Sequence, residues 1–271
     1  MLHRRRAFTI VELLAVVAII AVIISLLLIA IPQVQRQSRS TLCLSNQRQL
    51  NFAYQAYASD NGGQFMSPQT GSSGAVPDNE WLWVRSSNLS VGQGESVYHL
   101  ERGAMWSYAG EVREVYKSPF DPFPDPMESQ MNVQVGDQRT RVRTYALSTF
   151  LGQMEFPEGT WGQRHERERN KGSKMGNPAE TILTVLEYDH RGHNMGGFAI
   201  DLQGSGVWTD KIAAWHPGVW NFSMLDGSTL SHRYAATVEQ MEYQMTRQQG
   251  DFAWPGPDYE WLRRHLDPEK F

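Results

Sequence analysis

Arg4-Arg5-Arg6-Ala7-Phe8-Thr9-Ile10-Val11-Glu12-Leu13-Leu14 opens a run that stays apolar through Ser25-Leu-Leu-Leu-Ile-Ala-Ile31. Phe8 to Ile31 makes 24 predominantly apolar residues, and between Ala7 and Gln35 the only charged side chain is Glu12. At helical rise that run is about 36 Å long, enough to cross a hydrocarbon core of about 30 Å. Its basic leader is of the kind that stays on the cytoplasmic side. A secretory signal peptide has a shorter apolar core and a small-residue cleavage site after it. Neither is present, so the segment reads as a retained anchor with the rest of the chain outside the cytoplasm. Glu12 is then the costly residue. A carboxylate inside a span costs roughly 2.5–3.5 kcal/mol unless it snorkels to the interface or finds a partner.

Outward from this run, Pro32 predicts a kink just past the apolar residues. Helical periodicity then resumes: Cys43, Gln47, Leu50, Tyr54 and Tyr57 share one face, with Arg36, Arg39, Asn46 and Arg48 largely off it. Asp60-Asn-Gly-Gly63 stops the helix. The whole element, Phe8 to about Ser59, would measure roughly 78 Å. The chain of 271 residues has 25 basic and 29 acidic side chains, a formal charge of −4. That balance argues against bulk nucleic-acid binding. Its single cysteine excludes an intrachain disulfide framework, and Cys43 reads as a small buried apolar group.

The remainder reads as an α+β head. Thr181-Ile-Leu-Thr-Val-Leu-Glu187 predicts a buried strand and Phe198-Ala-Ile-Asp-Leu202 a second. Trp220 to Leu225 and Ser228 to His232 flank Asp226-Gly227, which predicts a hairpin closed by a two-residue type I′ turn. Helix is expected over 237–248 and a last helical turn near Tyr259 to Leu266. Residues 64–80 form a polar loop, the prolines of 118–127 exclude helix and central strand, and 164–174 is an exposed mixed-charge run.

The segment Arg4 to Leu14 resembles the signal of type IV prepilins and secretion pseudopilins. In that family a dedicated peptidase cuts before a Phe and methylates the new N-terminus, and the fifth mature residue is Glu. The resemblance places cleavage between Ala7 and Phe8, with Ala7 where the family usually has Gly, and makes Glu12 the fifth residue. It implies that Glu12 of one subunit pairs with the Phe8 amine of a neighbour and so sets the register of a filament. Cys43-Leu-Ser-Asn-Gln-Arg-Gln-Leu50 and Tyr57-Ala-Ser-Asp-Asn-Gly62 resemble a subgroup with large heads, related to the major pseudopilin of type II secretion. Val115-Tyr-Lys-Ser-Pro-Phe-Asp121 stands where such proteins often carry Cys-Pro-x-Asp, with Ser118 in place of the Cys. His216-Pro-Gly218-Val-Trp-Asn221 to Asp226-Gly227 is similar to the subgroup's His-x-Gly…Asn…Asp-Gly signature.

These readings divide the chain into a leader (1–7), a transmembrane and filament-core helix (8–31), its amphipathic continuation (32–62) and an extracytoplasmic head (63–271). They imply a pilin or pseudopilin subunit of a type II secretion or type IV pilus-like filament. Its implied partners are a prepilin peptidase, other subunits, an inner-membrane assembly platform and secreted substrates, without a cofactor. No catalytic motif stands: His165-Glu166 opens a zincin-like pattern, but Arg169 occupies the second ligand position. Asp189, His190, His193, His216, Asp226 and His232 are candidate metal ligands, better explained as turn and strand-end residues. The alternative is an anchored, non-polymerising binding module, whose tryptophans (Trp81, Trp83, Trp208, Trp215, Trp220) would stack on glycan; core packing explains most of them more simply.

Overall fold

The computed structural model describes residues 9–68, 82–84, 97–122, 142–152, 175–188, 197–202, 204–216, 218–237, 240, 252–253 and 255–267. Ala7, Phe8, the expected 164–174 run, Asp189, His190, His193, Trp81 and nearly all of the helix expected over 237–248 lie outside them. The chain divides into two compact units, Met1–Thr41 and Leu42–Phe271.

One helix, α1 (Ile10–Asp60), contributes to both units. In the first unit no residue from Thr9 to Arg39 is buried, and Leu28 and Ile29 are 67% and 75% exposed. At Pro32, where a kink is expected, α1 runs on unbroken, although proline offers the Leu28 carbonyl no amide donor. In the second unit α1 buries the expected stripe: Cys43, Gln47, Leu50, Tyr54 and Tyr57 are all within the core. Asn46 joins them, against expectation, because its Nδ2 donates to the carbonyls of Glu114 and Lys117. The helix ends as its sequence predicts. Asn61 and Gly63 donate back to Tyr57 and Ala58, and Gly62 and Gly63 take φ of +64° and +80°.

Two short helices, α2 (Val97–Glu101) and α3 (Met105–Tyr108), and a 3₁₀ turn at Arg113–Tyr116 lead into the sheet. Its strands β1 (Tyr145–Leu147), β2 (Ile182–Leu186), β4 (Trp220–Met224) and β5 (Thr229–His232) lie side by side in the order β1-β2-β4-β5, each pair antiparallel. A smaller ribbon pairs β3 (Val207–Trp208) with β6 (Phe252–Ala253). The last helix, α4 (Pro257–Leu266), is longer than the single turn expected, because Pro257 at its first turn is preset for helix. This is the pilin-like α+β layout: a long apolar N-terminal helix and a four-stranded antiparallel head.

The sheet is covered on both faces. Tyr145, Leu147, Leu183 and Leu186 share a cluster with Cys43, Leu50 and Tyr54 of α1. Ala146, Ile182, Val185, Trp220 and Phe222 share the other with Tyr259, Leu262 and Leu266 of α4. Two covered faces explain why β1, β2 and β4 are buried at every position.

Two expectations need correction. The segment 198–202 is not a strand; it makes isolated bridges, Ser148 to Phe198 and Ile200 to Trp208. It changes partner within two residues, so neither ladder extends. The β4–β5 hairpin is present, but its loop is three residues, Leu225-Asp226-Gly227. Gly227 donates to the Met224 carbonyl and Met224 to that of Ser228. Only Gly227 has positive φ (+95°), whereas a type I′ turn needs two such residues. Asp226 stays right-handed because its Oδ1 accepts the Ser228 amide.

Candidate assembly site

The first described residues build a closed hydrogen-bond ring. Thr9 stands immediately before the first helical residue, and Glu12 is the third residue inside. The Thr9 amide and hydroxyl both donate to Glu12 Oε2, at 2.8 and 2.9 Å, and the Glu12 amide donates to Thr9 Oγ1 at 3.2 Å. This is a capping box: two orphan amides of the helix start are satisfied, and the carboxylate lies where the helix dipole favours it. The acid that made this apolar run costly is therefore bound within its own chain. Both hydrogen bonds fall on Oε2, so among the described residues Oε1 is open to a further donor. Thr9 was not singled out from the sequence, though Thr9-Ile-Val-Glu12 ahead of an apolar run carried the signal.

Beyond the box, every large apolar side chain from Ile10 to Ile31 is exposed, from 45% at Val16 to 79% at Ile10. A water-soluble surface does not present a helix of this kind. Its length and apolarity suffice to cross a bilayer.

Residues 2–28 match the family model for the prokaryotic N-terminal methylation motif. The chain carries a type IV pilin-like prepilin signal. No curated protein and no solved structure matches the chain. The prepilin signal implies processing by a prepilin peptidase and assembly with other pilin subunits, and it points to a structural protein. It covers the leader and the start of α1, so the head is read from its own contacts.

Behind the prepilin signal, α1 is held to the head by a ladder of amides, of which only Gln47 belongs to the expected stripe. Gln47, Asn51 and Gln55 follow one another by four residues and donate to the carbonyls of Asn221, Met224 and Leu225. Gln47 Oε1 also accepts from Thr184 Oγ1, which lies 2.6 Å from Ser223 Oγ. Gln47, buried with both ends of its amide engaged, fixes one register of helix on sheet. Arg48 adds an exposed hydrogen bond to Thr229 Oγ1.

The head residues of the resemblance fall around the same hairpin. His216 packs edge-on against Phe120, ring centroids 4.6 Å apart. Gly218, at φ +78°, donates to the Tyr234 hydroxyl. Asn221 is buried in β4, its carbonyl on Gln47 and its Oδ1 accepting from Ser231. Asp226 and Gly227 form the turn. Ser118, standing where the subgroup has Cys, lies beside Cys43, Oγ to Sγ 3.9 Å. Cys43 is fully buried and also meets the Tyr145 hydroxyl at 3.3 Å. Burial pushes the Tyr145 phenol well up, and Cys43 adds to the effect.

Among the described residues no three His, Cys, Asp or Glu side chains converge as a metal site. His216, Asp226 and His232 each have other work. His232 stacks on Trp261 at 3.8 Å, and Trp261 stacks in turn on His265 at 4.0 Å. Burial foremost holds the His232 imidazole below its ordinary pKa; His265 acts the same way, and Asp258, at 3.6 Å, opposes both. Trp83, Trp208 and Trp220 are at most 2% exposed, which removes them from any stacking surface. Trp208, Trp220 and Tyr259 pack instead as a tilted and edge-on aromatic cluster.

Proposed function

We propose that this chain is a structural subunit of a filament of the type II secretion pseudopilus or type IV pilus kind. The peptidase cuts between Ala7 and Phe8 and methylates Phe8, leaving residues 8–31 as the membrane and later filament-core helix. Residues 32–62 carry that helix into the head, and 63–271 form the head outside the cytoplasmic membrane. The observation that carries this reading is the coincidence of the methylation motif at 2–28 with an apolar stretch, residues 10–31, whose large side chains are all exposed and whose single acid, Glu12, sits in the first turn of α1.

Glu12 has two states in this scheme. In the lone subunit it caps its own helix through Oε2. In the filament Oε1 takes the Phe8 amine of the neighbouring subunit, so assembly adds a charged partner without dismantling the cap. Pairing two charges in an apolar bundle favours a single axial stagger, since any other leaves both uncompensated. The head exceeds what dense packing of identical subunits accommodates easily, which favours a specialised subunit presenting it to secreted substrates. The anchored glycan-binding alternative loses its main support with the burial of Trp83, Trp208 and Trp220.

Glu12→Ala separates the two. In the filament scheme the variant reaches the membrane, its head folds, and it disappears from sheared filaments. A variant incorporated at the wild-type level would refute the pairing.

A further inference from the structure

From Leu13 to Ser59 the chain contains no acidic residue, yet it carries Arg36, Arg39 and Arg48. Arg48 is engaged with Thr229. Arg36 and Arg39 are exposed on α1, and among the described residues neither has a hydrogen-bond or ion-pair partner. They lie three residues apart, on one side of the helix and about 4.5 Å apart along its axis. Around them stand Gln33, Gln35, Gln37, Ser38 and Ser40, a belt rich in donors and free of carboxylates. Arg36 begins five residues after Ile31, about 7.5 Å beyond the apolar run, which is the depth of a headgroup layer.

We propose that Arg36 and Arg39 form a clamp for the phosphates of anionic lipids at the outer surface of the membrane, a proposal that rests on residues 8–31 spanning it. The guanidinium fork matches a phosphate through paired hydrogen bonds, and two forks on one helix side accept one or two headgroups. Carboxylates that would compete are absent from this stretch of helix. The clamp has a consequence for maturation. Before cleavage the helix is basic at both ends, with Arg4 to Arg6 opposite Arg36 and Arg39. Loss of the leader leaves the arginine anchor only on the outer side, the side towards which a growing filament draws the subunit.

The test uses the full chain in bilayer nanodiscs of equimolar phosphatidylglycerol and phosphatidylcholine, with native mass spectrometry of the lipids it retains. A variant with Arg4, Arg5 and Arg6 changed to Gln removes the leader's contribution. In that background the chain is expected to retain phosphatidylglycerol preferentially. Arg36→Gln and Arg39→Gln are each expected to lower that preference about fivefold. Excess inorganic phosphate is expected to leave the retained lipid in place; its displacement would mean a free-phosphate site and overturn the lipid assignment. An unchanged lipid ratio in the Arg36→Gln/Arg39→Gln variant would overturn the clamp. Extraction of the chain by alkaline carbonate would instead refute the membrane span, a separate failure.

Discussion

At Thr9 and Glu12 two needs meet: a helix start must satisfy its first amides, and a carboxylate in an apolar run must be satisfied itself. Thr9→Val keeps the side-chain shape and deletes the hydroxyl, at a cost of about 1 kcal/mol for the lost cap. Amide exchange of Glu12 in micelles should quicken several-fold, with the amides of residues 20–30 unchanged. Ser118 offers a second test. With Oγ 3.9 Å from the Cys43 sulfur, Ser118→Cys should close a disulfide on oxidation and leave no thiol reactive under denaturing conditions. The long loop it closes favours a gain of up to about 4 kcal/mol, read as a higher melting temperature that reductant abolishes. His232 makes the third. Its folded pKa is depressed, so the neutral ring contributes stability above the ordinary histidine range, and that contribution is lost as pH falls below about 6.5. Melting temperature should fall between pH 7.5 and 5.5 more steeply in the wild type than in His232→Gln.

Elements divide into those whose residues announce them and those decided by partners far along the chain. The lower half of α1 was legible because Cys43 to Tyr57 repeat at helical spacing, and β2 because Ile182 to Leu186 is a continuous buried run. The 198–202 segment has the same local character but meets two different neighbours, and no local pattern contains that information. The turn at 225–227 is one residue longer than Asp226-Gly227 alone predicts. Asp-Gly satisfies both turn types, and only the pairing of Met224 with Ser228 selects the longer loop. The amide ladder was only partly legible: Gln47 lies on the periodic stripe, but Asn51 and Gln55 read as polar helix residues until Met224 and Leu225 supply their carbonyls. Gln47→Leu tests its weight. It strands the Asn221 carbonyl, and the head should lose about 1–3 kcal/mol in denaturant unfolding with unchanged slope.

Across the whole molecule, the prepilin signal and the packed core belong to different stretches of the chain, residues 2–28 and Leu42–Phe271. The N-terminal apolar stretch keeps its hydrophobic residues exposed and one acid capped, an arrangement suited to lipid or to packing among like helices. Among the described residues the head packs Trp83, Trp208, Trp220 and Tyr259 within its core and holds α1 through Gln47, Asn51 and Gln55. The prepilin signal was legible because its residues are contiguous, so its information is local. What the head recognises was not, since recognition surfaces depend on which side chains remain outside after packing. Trp208 and Trp220 show how little composition says about that. The central claim is that this chain matures as a pilin-like subunit, and intact-mass and N-terminal peptide mass spectrometry of protein from its native membrane tests it most directly. The account predicts a chain beginning at N-methylated Phe8. A chain still beginning at Met1 would contradict it and leave a plain signal-anchored protein.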